Sequence, residues 1–276
     1  MKKQVAIVVP LSSRRGLIPD ESISVRQLVG VLGGYDRYFV AQPSVLNPVS
    51  GFKRIELPEH FFGSLAAHAR LITSPQFFEA FAEYEYILMY HLDSLVFRDE
   101  LRAWCATGLD YIGAPWINCP DSPWVEHERV GNSGFALMKV ASFLQVLNST
   151  RQWMAPEDYW QTFYADRPFA VRCVHYPKKW LKHLPTFNSV RFHIQRWLAG
   201  RDDADKFWAD EAIRYDPEFK IASVEQGLRF AFEVSPRLCL ARNKGKLPFG
   251  CHAWTRYDRA FWEPHLLPAQ SEVVSR

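Results

Sequence analysis

The chain opens on an unbroken apolar run over residues 5–11, the pattern of a β-strand covered on both faces. Behind it Ile23, Gln27, Leu28 and Val31 recur at helical spacing. They predict a helix over 20–32, capped by Asp20 and stopped by Gly33-Gly34. Apolar runs at 37–41 and, more weakly, 52–57 predict a second and a third strand. Residues 64–73 and 75–83 predict helices, the second capped by Ser74 with Pro75 at its first position. The segment YEYILMYHLDSLVF, residues 84–97, holds the strongest strand, 87–90. A helix over 99–107 ends at Gly108, and a strand follows over 111–114. This alternation predicts an α/β fold around a mostly parallel, doubly wound sheet. Ligands of such sheets sit beyond the carboxyl ends of the strands, so the polar residues there matter first.

Composition excludes several classes. With 48% of its 276 residues hydrophobic and 23% charged, the chain fills a sizeable core and is neither disordered nor fibrous. The length favours one or two domains, and a single one, 1–276, is expected. A net charge of +3 carries no nucleic-acid footprint, and no apolar run approaches the ~18–20 residues of a membrane span. The first ten residues briefly look like a leader peptide. Pro10 breaks that run, Ser12-Ser13-Arg14-Arg15 follows, and no small-residue cleavage site is present, so it reads as a first strand. The five cysteines are odd in number and form no C-x-x-C pair. This argues against a disulfide framework or zinc site and for a reducing, cytoplasmic compartment. Aromatics reach 15%, which fits stacking surfaces and a large aromatic core equally well.

Four strand-end or loop segments carry candidate chemistry. The strand at 87–90 runs out into His91-Leu92-Asp93. An extended backbone would put the first and third side chains on one face, where an imidazole and a carboxylate can hold a divalent cation. An aspartate ending a buried strand serves equally as a turn or cap. Gly131-Asn132-Ser133-Gly134 is a polar turn leading into Phe135-Ala136-Leu137. Glycine admits close backbone approach and Asn and Ser offer hydrogen bonds to hydroxyls, though a plain tight turn has the same residues. Pro156-Glu157-Asp158 starts a helix. Its acids either favour the helix dipole or supply a general base. Finally, Leu247-Pro248-Phe249-Gly250-Cys251-His252-Ala253-Trp254 holds a late histidine, with Lys244 and Lys246 upstream to neutralise a diphosphate or to solvate a loop.

In this order the segments resemble the GT-A class of nucleotide-sugar glycosyltransferases, and more narrowly an uncharacterised bacterial GT-A-like family of unknown function. The stretches that carry the resemblance are YEYILMYHLDSLVF, LDYIGAPW, VGNSGFAL, EDYW, FKIASVEQGLRFAFE and LPFGCHAW, within residues 4–165 and 218–262. The resemblance implies a Rossmann-related, doubly wound mixed sheet with helices on both faces and a helical insertion at 166–217. It implies a transferase of polysaccharide biosynthesis that moves a sugar from a nucleotide-sugar donor to a glycan or lipid-linked acceptor hydroxyl, metal-assisted and inverting. Asp93 matches the second acid of an Asp-x-Asp element that ligates Mn²⁺ or Mg²⁺, His91 stands where the first acid would be, and His252 matches a late metal-binding histidine. Pro10, Leu11 and Ser12 fall where such folds grip the nucleoside, and Arg70 faces the donor phosphates, with Lys244 and Lys246 also assigned to the donor. Asn132 and Ser133 match a sugar-contacting turn, and Asp158 or its neighbour Glu157 the base that deprotonates the acceptor. Trp116, Trp124 and Trp254 beside these loops can stack on sugars or pack the core.

Two other functions use the same residues. A metal-dependent phosphoesterase or nucleotidyltransferase would use Asp93 and His252 but leaves the 131–134 turn and the Glu157-Asp158 pair without a role. A non-catalytic nucleotide-sugar or glycan-binding protein would explain His91 in place of an acid. Charge adds one further expectation. Residues 167–201 contain no Asp or Glu but eight basic residues: Arg167, Arg172, Lys178, Lys179, Lys182, Arg191, Arg196 and Arg201. The remainder of the chain is therefore net acidic. Phe187, Val190, Ile194, Trp197 and Leu198 recur there at helical spacing. The segment is expected either to pack that apolar face on the domain or to dock peripherally on an anionic membrane surface, at the inner face of the membrane.

Overall fold

A computed structural model describes residues 2–14, 16–200 and 203–268. Six strands form the main sheet: β1 (Lys3–Pro10), β2 (Asp36–Ala41), β3 (Lys53–Glu56), β4 (Tyr84–Tyr90), β6 (Tyr111–Gly113) and β9 (Phe135–Lys139), in the order β3-β2-β1-β4-β9-β6. The pairs β1–β2, β1–β4 and β2–β3 are parallel, whereas β9 runs antiparallel to both β4 and β6. The sheet is thus mixed, with one reversed strand. A second sheet joins β10 (Ala231–Phe232), β11 (Gly250–Cys251) and β5 (Leu95–Val96), and β7 (Pro115–Trp116) pairs with β8 (Arg129–Val130).

Period-two alternation along β1 and β4 feeds two cores. Ala6, Val8, Ile87 and Met89 face a cluster with Phe77, Phe78, Phe143 and Trp208, while Val5, Ile7, Val9, Leu88 and Tyr90 face one with Val25, Leu28, Leu101 and Phe230. Helices therefore cover both faces, as the unbroken apolar run in β1 requires. Fully buried Phe77, Phe78 and Phe81 each contribute ~1.5–3 kcal/mol by leaving water.

Most predicted elements are present with shifted ends. The first helix is Pro19–Leu32 and places Asp20 inside its first turn rather than at the cap, where Ile18 stands. Ser64 caps helix Leu65–Ile72, accepting a hydrogen bond from Ala67 N–H, whereas Ser74, the cap expected from sequence, stands at the N-cap of the next helix without a side-chain cap hydrogen bond. Helix Pro75–Glu79 stops short of residue 83, and turns carry the chain into β4. The basic segment folds as Phe169–Leu181, a short 3₁₀ turn, Val190–Leu198, and then Ala204–Lys206 leading into a π-helical turn, Phe207–Glu211. Its second half is no appendage: Val190, Ile194, Phe207 and Trp208 lie in the main core, and Trp208 Nε1 donates to Ile72 O at 3.0 Å. Arg201, the last of the eight basic residues, and Asp202, which ends the acid-free stretch, lie outside the described residues. Among the described residues, no helix is long and apolar enough to cross a membrane.

Candidate active site

At the carboxyl end of β4 the chain turns back at once, Ser94 N–H donating to His91 O at 2.9 Å. The backbone at 91–93 is this turn, not the extended strand expected, and the turn is what brings the two side chains together. It is tied to the 131–134 loop: His91 N–H donates to Gly134 O at 2.8 Å and Ser94 Oγ donates to the same oxygen at 3.2 Å. After the turn, β5 pairs antiparallel with β11, Leu95 opposite Cys251. That register delivers His252 to Asp93, and Trp254 N–H donates to Asp93 O at 3.1 Å.

His91, Asp93 and His252 each offer one ligand atom, all within 4.8 Å of one another. His252 Nε2 lies 3.3 Å from Asp93 Oδ1, and its Nδ1 lies 3.1 Å from Glu233 Oε1. The His252 ring rests directly on the glycine loop, since a Cβ at Gly134 would stand 2.2 Å from His252 Nε2. His91 Nε2 is buried without a hydrogen-bond partner among the described residues, so it is free to ligate. The donor set fits a divalent cation. Two imidazoles and a carboxylate suit Mn²⁺, Fe²⁺ or Zn²⁺ better than Mg²⁺, which prefers oxygen. A carboxylate on the far nitrogen of a ligating histidine, as Glu233 is on His252, fixes the ring and raises its basicity. A third imidazole, His68, packs edge-on to His91 with ring centres 4.7 Å apart, and its Nε2 is also buried without a partner among the described residues.

The electrostatics differ from one imidazole to the next. Burial, and then the neighbouring histidines, push His91 down; burial, and then His252, push His68 down to about 4. Both are neutral imidazoles near pH 7, the form that binds metals. At His252 burial opposes charging, but the Asp93 and Glu233 carboxylates outweigh it and raise the ring to about 10; without a cation it is an imidazolium paired with both acids, and a cation would have to displace its Nε2 proton. Burial works to raise Asp93, yet hydrogen bonding and attraction from His252 win and hold it well below the usual carboxylate range. A second acid sits beside this group. Asp205 accepts hydrogen bonds from Ser133 N–H (3.2 Å) and Ser133 Oγ. Burial raises it to about 6 against those two bonds, and it feels the charges of Glu233 and His252.

Residues 51–252 match the model of a family described as "Protein of unknown function (DUF5672)". The chain belongs to this DUF5672 family. No curated protein matches it. Solved structures similar to this DUF5672 chain include the galactosyltransferase LgtC in complex with donor and acceptor sugar analogs, at 11% identity and TM-score 0.46, covering 97% of this chain and 98% of that one. The apo-form glycosyltransferase GlyE of Streptococcus pneumoniae TIGR4 aligns at 12% identity and TM-score 0.45; the alignment covers 96% of this chain but only 61% of GlyE. A glycosyltransferase involved in glycosylation of the major capsid of PBCV-1 aligns at 13% identity and TM-score 0.42, covering 95% and 98%. Likenesses this loose assign neither activity nor substrate.

The fold gathers some of the sequence-derived candidates at the His91–Asp93–His252 cluster and disperses others. Leu11 and Ser12 line a crevice with Leu92, just past Pro10 at the end of β1. Asn132 is buried with its Oδ1 accepting from Gly134 N–H at 2.9 Å, so it shapes the loop, while Ser133 engages Asp205. Arg70 lies about 200° around its helix from His68 and donates to His60 O at 2.9 and 3.2 Å. Lys244 and Lys246 line a separate cavity of about 630 Å³ with Arg98, Trp104, Arg229 and Arg242, at the opposite end of β11 from His252. Glu157 and Asp158 are exposed, Glu157 pairing with Lys179 at 3.1 Å. Of the three tryptophans, Trp116 and Trp254 are buried, Trp116 against Gly131, and Trp124 is exposed. Sequence reasoning missed Glu233, His68 and Asp205. Glu233 ends the FKIASVEQGLRFAFE stretch, and His68 stands two residues before Arg70, where the basic side chain drew the assignment. Asp205 follows closely on the acid-free segment.

Proposed function

We propose that the chain is a metal-assisted glycosyltransferase that moves a sugar from a nucleotide-sugar donor to a hydroxyl of a glycan or lipid-linked acceptor, with inversion. The observation that carries this reading is the convergence of His91, Asp93 and His252 within 4.8 Å at the carboxyl end of a central strand, where such sheets bind ligands. The sequence resemblance to GT-A enzymes supports it independently. In this reading the three side chains hold a divalent cation, Mn²⁺ rather than Mg²⁺, with Glu233 orienting His252. When bound, the cation supplies countercharge for the departing diphosphate. Leu11 and Ser12 border the nucleoside, and the 131–134 loop borders the sugar. For the base that takes the acceptor proton we propose Asp205 in place of Glu157 or Asp158, because it is bound to Ser133 of the 131–134 loop, while Glu233 is taken up by His252, and its raised proton affinity suits general-base work near neutral pH.

Calorimetry with a panel of nucleotide-sugars, with and without Mn²⁺, tests this. The expected result is Mn²⁺-dependent binding of at least one donor, with slow release of its sugar to water. Failure of every donor to bind overturns the reading. Binding without turnover makes the chain a nucleotide-sugar-binding protein, and turnover of simple phosphoesters makes it a phosphoesterase.

A further inference from the structure

Helix Phe169–Leu181 has thirteen residues and not one of them is buried. The reason lies in which flank it turns to the rest of the chain. Its polar and aromatic flank rests on helix Pro156–Tyr164. Tyr176 packs edge-on to Trp160 with ring centres 5.3 Å apart, His175 tilts against Tyr164 at 5.2 Å, and Lys179 pairs with Glu157. The apolar arc is left to solvent: Phe169 is 79% exposed, Val174 74% and Trp180 61%, and Leu184 just beyond the helix is 50% exposed. Cys173 and Pro177 are exposed on the same helix. Water-soluble surfaces seldom leave apolar side chains this large side by side.

Along the helix itself the charge has one sign, the nearest acids being Asp166 before it and Glu157, which is taken up by Lys179. Arg167, Arg172 and Lys178 are exposed and no acid occurs anywhere in 167–200. Lys182, which sequence alone would add to the set, is not available. Its ammonium is buried 4.0–4.8 Å from the ring centres of Phe192, Tyr159 and Trp153 and donates to Phe187 O at 2.6 Å. The apolar spacing of Val190 and Ile194 is likewise spent on the core, so the free face belongs to the upstream helix and not to Val190–Leu198.

We propose that helix Phe169–Leu181 lies flat on an anionic lipid bilayer, with Phe169, Val174 and Trp180 entering the headgroup boundary and Arg167, Arg172 and Lys178 meeting lipid phosphates. An amphipathic helix with aromatic residues on its apolar side and cations at its flanks is built for that boundary. A second copy of the chain is a poorer occupant, because a two-fold contact sets a patch against itself and here opposes like charges. The inference does not depend on the reaction proposed above.

Flotation with vesicles of phosphatidylcholine alone, or with a quarter phosphatidylglycerol, tests it. A polarity-sensitive NBD fluorophore on Cys173, which is exposed while the other four cysteines are buried, reports insertion. The expected result is at least about tenfold stronger partition onto anionic vesicles, fading as salt screens the charges, with NBD brightening. Val174→Asp with Trp180→Ser should abolish it, and the surface variant Arg172→Glu with Lys178→Glu should weaken it about tenfold while leaving the circular dichroism and melting unchanged. Indifference to lipid charge overturns the proposal. So does a dark NBD signal on vesicles alongside concentration-dependent dimerisation, which would assign the face to a second copy.

Discussion

Glu233 and Gly134 act on His252 from two sides, and each supports a separate prediction. Glu233→Gln keeps the hydrogen bond to Nδ1 but removes its charge, so Mn²⁺ affinity should fall ~10–100-fold with the fold intact, read by calorimetry. An unchanged affinity would make Glu233 a packing residue only. Gly134→Ala places a methyl where the His252 ring lies, so it should cost both cation affinity and stability. At Asp205 the prediction concerns acidity. Its folded proton affinity is raised to about 6 by burial above an unfolded value of about 3.9. Between those values the folded state holds more protons, so this group lowers stability as pH rises. The melting temperature of Asp205→Asn relative to wild type should therefore climb from pH 4 to pH 6.5 and then level off, while turnover drops ~10²–10⁴-fold. A difference that stays flat across that window would remove the raised acid from the account. His91, Asp93 and His252 were legible in the sequence because each sits at a visible strand end or motif. Glu233 and Asp205 were not, because only the pairing of β10 with β11 and the packing of the 203–211 segment decide which acids face the cluster.

At the scale of elements, apolar runs predicted the strands of the main sheet, yet not the reversal of β9. An apolar run marks a buried strand but carries no direction, and the connection around residues 115–134 is what sends Phe135–Lys139 back against β4. Helix ends drifted for a similar reason. Phe77, Phe78 and Phe81 are all fully buried, but the last of them belongs to a turn, and burial alone does not tell a turn from a helix. The basic segment shows the limit of charge counting. Lys182 looks in sequence like one more surface lysine, whereas burial, and then Arg196, lower it to about 8 within an aromatic cage. Lys182→Glu should destabilise the chain by ~3–5 kcal/mol by stranding an acid among rings, and Lys182→Met by less, in urea unfolding. Equal stability of wild type and Lys182→Glu would mean the cage opens without cost.

For the molecule as a whole, the cluster sits where the two sheets meet, with His91 and Asp93 following a strand of the large one and His252 following a strand of the small one. Mn²⁺ should raise the melting temperature of wild type and leave Asp93→Asn unmoved, since a ligand that binds only the folded state stabilises it by mass action. The same placement bears on biosynthesis. A chain made only as far as β10 holds His91 and Asp93 but neither Glu233 nor His252, and β5 has no β11 to pair with. On the proposed reading, cation capture waits until residue 252 has been made and β11 has paired with β5, which makes uptake of the ion a late step in folding.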